Sequence, residues 1–449
     1  MGTGESREED GLAVNIHRAR LGWKRPIDRS AIVTVLAEGL FCLREEPMNM
    51  LTLHKRTAVA NAAASILAVT CLFIFATPLT AGQSESVLHS FTGALDGSSP
   101  YAGLFLDHDG NLYGTTLYGG GSSLCTNGCG MVFRLSISGG ETVLYSFGGG
   151  TDGANPYGGL VLDAKGNLYG TTTSGGFFVG TVFQLNPAGM ETLLHTFNGS
   201  NGGDGSSPFE GLIQDAQGNL YGTTFSGGSQ CSSIGGCGTV FEVSPSGVET
   251  VLYSFSGGND GGYPFSSLLL APNGDLYGTT VFGGTYNQGT VFRLTSAGAE
   301  TVLYSFTGGV DGAQPLGGLV FDGKRSILGT TSKGGASGNG TVFKITPTGK
   351  QAVIYSFHGG TDGSVPDAGV IVDKKGRIFG TTNQGGASGL GTVFGLTPSG
   401  QERVLYSFKG GSDGAFPTAG LVQDGNGNFF GTTSSGGAAG LGTVYEVIQ

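Results

Sequence analysis

The sequence predicts an all-β fold: a seven-bladed β-propeller with four antiparallel strands per blade, closed by the N-terminal strand joining the last blade. Three recurrences carry that prediction. The triplet Gly-Thr-Thr begins at Gly114, Gly170, Gly222, Gly278, Gly329, Gly380 and Gly431, in steps of 56, 52, 56, 51, 51 and 51 residues. A Ser/Thr-Phe step ends at Phe91, Phe147, Phe197, Phe255, Phe306, Phe357 and Phe408. An Asp-Gly pair follows each, at Asp96, Asp152, Asp204, Asp260, Asp311, Asp362 and Asp413. A period of about fifty residues marks a repeat architecture.

The second copy shows the unit. Gly159-Leu-Val-Leu-Asp163, Asn167-Leu-Tyr-Gly-Thr-Thr172, Gly180-Thr-Val-Phe-Gln-Leu185 and Glu191-Thr-Leu-Leu-His-Thr-Phe197 are short β-prone runs separated by Gly, Asn, Asp and Pro turns. We term these strands A to D. By analogy with other propellers, A lies at the central channel and D at the rim. A blade is packed on both sides, so its strands are expected to be apolar on both faces. In strand D this puts Val143, Tyr145 and Phe147 on one face and Leu144 on the other. The chain enters the repeat in a D strand, Val87–Phe91, and leaves it after a C strand, Gly442–Val447. The first strand is therefore expected to complete the last blade, leaving no free edge.

Composition agrees. Glycine reaches 88 of 449 residues without a collagen period, and charged residues make up 12%. Tight turns between many short strands account for this. The net charge is −11, and residues 83–449 hold 13 basic against 25 acidic side chains. A basic nucleic-acid footprint is absent, so no nucleic-acid partner is expected.

Residues 57–76 form an uncharged, mostly apolar run behind His54-Lys55-Arg56, and small residues follow at Thr80-Ala81-Gly82. That is the layout of a signal peptide over 48–82, with an uncleaved membrane anchor as the alternative. Residues 1–47 read as a mis-assigned extension or a cytoplasmic tail. The propeller is assigned to 83–449. A secreted, periplasmic or cell-surface monomer is expected, touching membrane only through an uncleaved signal.

Alternating strand direction places the B–C and D–A loops on one face. Gly-Thr-Thr to the next strand-opening glycine spans 16 residues in copies one and three, against 10 or 11 elsewhere. Variation on one face marks the expected binding surface. Both long loops carry a cysteine pair, Cys125 with Cys129 and Cys231 with Cys237, which reads as two small disulfides in an exported protein.

The tokens Ser-Phe-x-Gly-Gly-x-Asp-Gly, Gly-Asn-Leu-Tyr-Gly-Thr-Thr and Gly-Thr-Val-Phe resemble the bacterial GloVer tandem-repeat proteins of the choice-of-anchor group. The Asp-x-x-Gly-Asn-Leu-Tyr part is also similar to NHL-type propeller repeats. The resemblance covers residues 87–449 and implies an exported or surface protein. It implies no established activity, ligand or catalytic residue. Members often end in a sorting tail; Val447-Ile-Gln449 is none, so release rather than anchoring is expected.

The Asp-Gly aspartates suit calcium by type, but as one per blade they are read as turn formers. His89 and His195 occupy a strand-D slot otherwise filled by Tyr145, Tyr253, Tyr304, Tyr355 and Tyr406, and are read as packing variants. In each D–A loop a proline precedes a residue entering strand A: Tyr101, Tyr157, Phe209, Phe265, Leu316, Asp367 and Thr418. The four aromatics form one arc of the channel mouth, suited to stacking on a sugar or an apolar side chain. Glu210 is the one acidic residue at the following slot. Glu210 with Asp367 would give a carboxylate pair of the kind glycosidases use, although three blades separate them.

No cofactor, metal ligand or catalytic residue is assigned from the sequence, and this weighs against an enzyme. The leading expectation is a non-enzymatic binding scaffold for an extracellular glycan or protein. The alternatives are a glycan-active hydrolase or lyase using the channel-mouth carboxylates, and a structural cell-surface component.

Overall fold

A computed structural model describes residues 84–93, 95–175, 179–199, 203–231 and 235–449. The readings for residues 1–82 lie outside the described residues. No helix among the described residues is long and apolar enough to cross a membrane.

Seven four-stranded antiparallel sheets follow one another. In the first, strand A is Phe105–Leu106, B is Asn111–Thr116, C is Met131–Ser136 and D is Glu141–Ser146, paired in that order. The same order repeats five times. The seventh sheet pairs Val422–Gln423, Phe429–Thr433 and Thr443–Val447 with the N-terminal strand Glu85–Ser90. Glu85 faces Val447 and Ser90 faces Thr443. Ring closure by the N-terminal strand is thus observed.

The two aromatic and glycine landmarks form one joint between blades. The Phe ending each D strand meets, edge to face, the C-strand aromatic of the next blade. Phe147 meets Phe183 and Phe197 meets Phe241, both at 5.1 Å; Phe91 meets Phe133 at 5.3 Å and Phe408 meets Tyr445 at 5.0 Å. The Gly of Gly-Thr-Thr makes room for the C-strand ring: a Cβ at Gly114 would stand 2.6 Å from the Phe133 ring. The first Thr then latches the blades. Thr115 donates to the Gly158 carbonyl, Thr330 to Ala368 and Thr381 to Ala419, at 3.2, 2.8 and 2.9 Å.

Strand D departs from simple alternation. In every blade a bulge shifts the C–D register; in blade 1, Phe133 pairs with Val143 and Val132 with Tyr145, so Leu144 is the extra residue. Val143 is exposed, while Leu144, Tyr145 and Phe147 all pack into the interblade core. The outer strand is therefore not apolar on both faces. The bulge turns Leu144 inward alongside Tyr145.

Both disulfides are present, Cys125–Cys129 and Cys231–Cys237. Cys129 and Cys237 are fully buried, and Cys129 belongs to a core cluster with Phe147 and Phe183. The first bridge therefore anchors its loop to the core as well as stiffening it.

Candidate functional site

The D–A loop sets the channel mouth. In blade 2, Asn155 adopts φ 57°, a left-handed conformation that L-residues seldom take. Its N–H donates to the Cys129 carbonyl at 2.7 Å, and its carbonyl accepts from the Thr173 N–H at 3.1 Å. Ser99, Ser207, Tyr263, Gln314, Val365 and Phe416 repeat this geometry, each before a proline. Pinned between two B–C loops, each loop delivers the residue after its proline to the axis.

There the seven A strands surround a cavity of about 460 Å³. Tyr101, Tyr157, Phe265, Glu210 and Asp367 line it. Phe209 is not part of the lining; it packs behind, 5.4 Å from Tyr157 and 5.2 Å from Phe265. Tyr101 and Tyr157 stack at 5.0 Å, 16° from parallel. All four aromatics are half-buried.

Glu210 is held by its backbone. A Cβ at Gly158 would lie 2.4 Å from the Glu210 carbonyl carbon, so glycine there admits the neighbouring strand. The Thr171 hydroxyl donates to the Glu210 carbonyl at 3.1 Å. Burial pushes the Glu210 carboxyl up to about 8, against a smaller lowering by the Gly211 N–H. Burial likewise raises Asp367 to about 7, opposed by the Lys333 ammonium. The Asp367 Oδ1 atom is sealed from solvent and has no hydrogen-bond partner. Burial raises the Tyr157 hydroxyl too, and the charges of both Glu210 and Asp367 act on it. Three blades apart in sequence order, the two carboxyls address one cavity.

Sequence reasoning missed the continuation of the aromatic arc. Phe225 lies 5.5 Å from Phe209 and 5.2 Å from Tyr263, which in turn meets Phe282 at 5.9 Å. A signal was available: Phe225 alone is aromatic among the residues that follow Gly-Thr-Thr.

A second group lies at the rim, in the seam between blades 2 and 3. The Asp-Gly aspartates cap the ends of strand D: Asp152 accepts from the Gly148 N–H at 2.6 Å and from the Tyr145 hydroxyl at 3.1 Å. At this seam His195 replaces that tyrosine, 3.2 Å from Asp204. Glu249, opening the next D strand, completes the group, and the ligand atoms of His195, Asp204 and Glu249 all lie within 4.8 Å of one another. Burial lowers the His195 imidazole and raises Glu249 to about 7. Three such donors can hold a metal ion and leave a position open for water, the arrangement of catalytic metal centres. The sequence-based weighing against an enzyme is overturned by this group. Reading His195 as packing alone missed it, because its partners lie 9 and 54 residues away.

Fold and cavity together define a closed seven-repeat propeller with a ligand-sized site on its axis. The chain belongs to the Gloeobacter/Verrucomicrobia repeat family, whose model matches residues 73–271 and 266–448. No curated protein matches the sequence.

Among solved structures, the chain is similar to the extracellular domain of a one-component system from B. thetaiotaomicron. The identity is 11% and the TM-score 0.51, over 81% of this chain and 40% of that one. It is also similar to PorZ, a surface component of the type-IX secretion system of Porphyromonas gingivalis. There the identity is 15% and the TM-score 0.47, over 80% and 47% of the two chains. A protein described as a 6-phosphogluconolactonase from Bacteroides uniformis matches at 16% identity and a TM-score of 0.47, over 71% and 92%. The chain thus spans under half the length of the first two. At 11% identity, the likeness to the extracellular domain speaks for the propeller fold alone.

Proposed function

We propose that the protein is an exported glycan-active enzyme, a hydrolase or lyase that works at the channel mouth with Glu210 and Asp367. The observation that carries this reading is a pair of half-buried carboxyls, both raised toward neutrality, lining one cavity beside a stacked tyrosine pair. Glu210 keeps its proton up to about pH 8 and serves as the general acid on the leaving oxygen. Asp367 ionises above about pH 7 and takes a proton from the attacking water or, in a lyase, from the sugar carbon. Tyr101 and Tyr157 both line the cavity, where aromatic rings suit the apolar face of a pyranose. The apolar run at 57–76 and the two disulfides support export into an oxidising compartment.

The test is a polysaccharide panel read for new reducing ends and for the ultraviolet absorbance of an unsaturated product. Turnover on a panel member, abolished in Glu210→Gln and in Asp367→Asn, supports the reading. No turnover on any member, or turnover that persists in both variants, refutes it.

A further inference from the structure

We propose that His195, Asp204 and Glu249 bind one divalent transition-metal ion, of the zinc or manganese type, in the seam between blades 2 and 3. This site is separate from the channel mouth and does not depend on the function proposed there.

The donor set is built by three different parts of the repeat. His195 belongs to the D strand Glu191–Thr196 of blade 2, where it pairs with Val182 and stands edge-on to Phe197 at 4.9 Å. Asp204 lies in the loop leading to blade 3. Its carboxylate is oriented by the Asn198 N–H at 3.0 Å and the Asn198 amide at 3.3 Å. Glu249 opens the D strand Glu249–Ser254 of blade 3. Its Oε1 atom is sealed from solvent and has no hydrogen-bond partner. Side chains held by their own strands and by an outer hydrogen bond are what a metal site requires.

The other seams act as internal controls. Tyrosine occupies the His195 slot at five of them and donates to the aspartate, as Tyr253 does to Asp260 and Tyr355 to Asp362. Unpartnered glutamate oxygens recur at those seams, at Glu191, Glu300 and Glu402. The glutamate alone therefore does not mark the site; the imidazole does. The His89–Asp96–Glu141 seam also carries a histidine, but its His–Asp separation is 3.6 Å. Among the described residues the His195 group is the one whose donors gather within 4.8 Å.

Chemistry selects the ion. One imidazole and two carboxylates are a borderline nitrogen and oxygen set, which suits zinc or manganese better than an all-oxygen calcium site. A neutral imidazole and two carboxylates balance the charge of a dication. Ligand atoms about 2.1 Å from a tetrahedral ion stand about 3.4 Å apart, so binding requires only a small inward movement of side chains already in place.

The repeat itself supplies the decisive variant. His195→Tyr installs the residue that five other seams carry, so the Asp204 contact and the fold are expected to persist. Calorimetric titration of the metal-stripped chain with Zn2+, and separately with Mn2+, should show one ion bound per chain for at least one of the two metals. Affinity should fall by more than about 100-fold in His195→Tyr, beyond the cost of losing an outer-shell partner. His89→Tyr should bind as the unmodified chain does. Unfolding temperatures in chelator should match between the unmodified chain and His195→Tyr, which separates loss of binding from loss of fold; if His195→Tyr fails that control, Glu249→Gln takes its place with the same expected loss. Failure of the unmodified chain to bind either ion, or unchanged one-to-one binding in the folded variant, overturns the proposal.

Discussion

The Thr432 hydroxyl donates to the Ala102 carbonyl across 3.0 Å, joining the seventh blade to the first over 330 residues of sequence. It is the ring-closing copy of a latch that the first Thr of every Gly-Thr-Thr makes with the next blade. The polypeptide is interrupted inside the seventh sheet, between Thr443–Val447 and Glu85–Ser90, so the ladder between those two strands closes the ring and the latch ties the closed sheet to the first blade.

Thr432→Val keeps shape but leaves the buried Ala102 carbonyl unpaired. The cost is expected at about 1–3 kcal/mol. Urea unfolding measures it, and a variant as stable as the parent would show that the latch contributes nothing to closure.

Phe91 is fully buried and meets Phe133 of the first blade, so the terminal strand is held by its side chains as well as its ladder. Phe91→Ala should cost about 3–5 kcal/mol. The same truncation should speed proteolysis near residue 90 before the remaining blades are cut.

Stability should fall as pH rises. Burial and a facing aspartate raise Glu85 to about 8 and Glu141, Glu249, Glu300 and Glu402 to about 7, and raise Glu191 as well. A raised carboxyl favours the folded state fully below its unfolded value of 4.5 and loses that contribution as pH climbs through 7 to 8. The turn aspartates Asp107, Asp163, Asp215 and Asp373 are held low by hydrogen bonds that outweigh their burial, and they set the acid limit with the opposite sign. The unfolding temperature, measured in chelator, should peak near about pH 5 and decline toward about pH 9. Glu300→Gln should flatten that decline, copying the natural Gln351 seam. A profile level or rising across this range contradicts the assignment.

For turnover at the channel mouth, Glu210 must be protonated and Asp367 ionised. The kcat/KM profile should therefore be bell-shaped with limbs near 7 and 8. A plateau extending well above pH 8 would remove Glu210 from the role of acid.

Tyr157→Ala removes the ring stacked on Tyr101. Its effect should appear as a rise in KM of about 2- to 10-fold with kcat largely kept. A fall in kcat alone would assign Tyr157 to chemistry rather than sugar stacking.

The joints were legible because they recur. Gly114, Thr115 and Phe147 each recur seven times, once per repeat and in the same order, and a contact made once per blade leaves that trace. Tyr157, Glu210 and Asp367 were legible as departures from the repeat at fixed slots. The bulge at Leu144 was not, because register depends on how the paired strand bends. Nor was the seam group: His195 looked like a packing variant until Asp204 and Glu249 stood beside it.

The sequence by itself determined the number of blades, the four strands of each, the closing strand and the face that bears the long loops. Local spacing encodes these, since each blade repeats the same turns and the same inward aromatics. Tertiary structure alone decided which deviant residues meet. Bending the seven units into a ring turns Glu210 and Asp367 toward one cavity and brings Glu249 against the neighbouring blade's His195. Those distances depend on how strands from different blades pack, and no spacing along the chain records them.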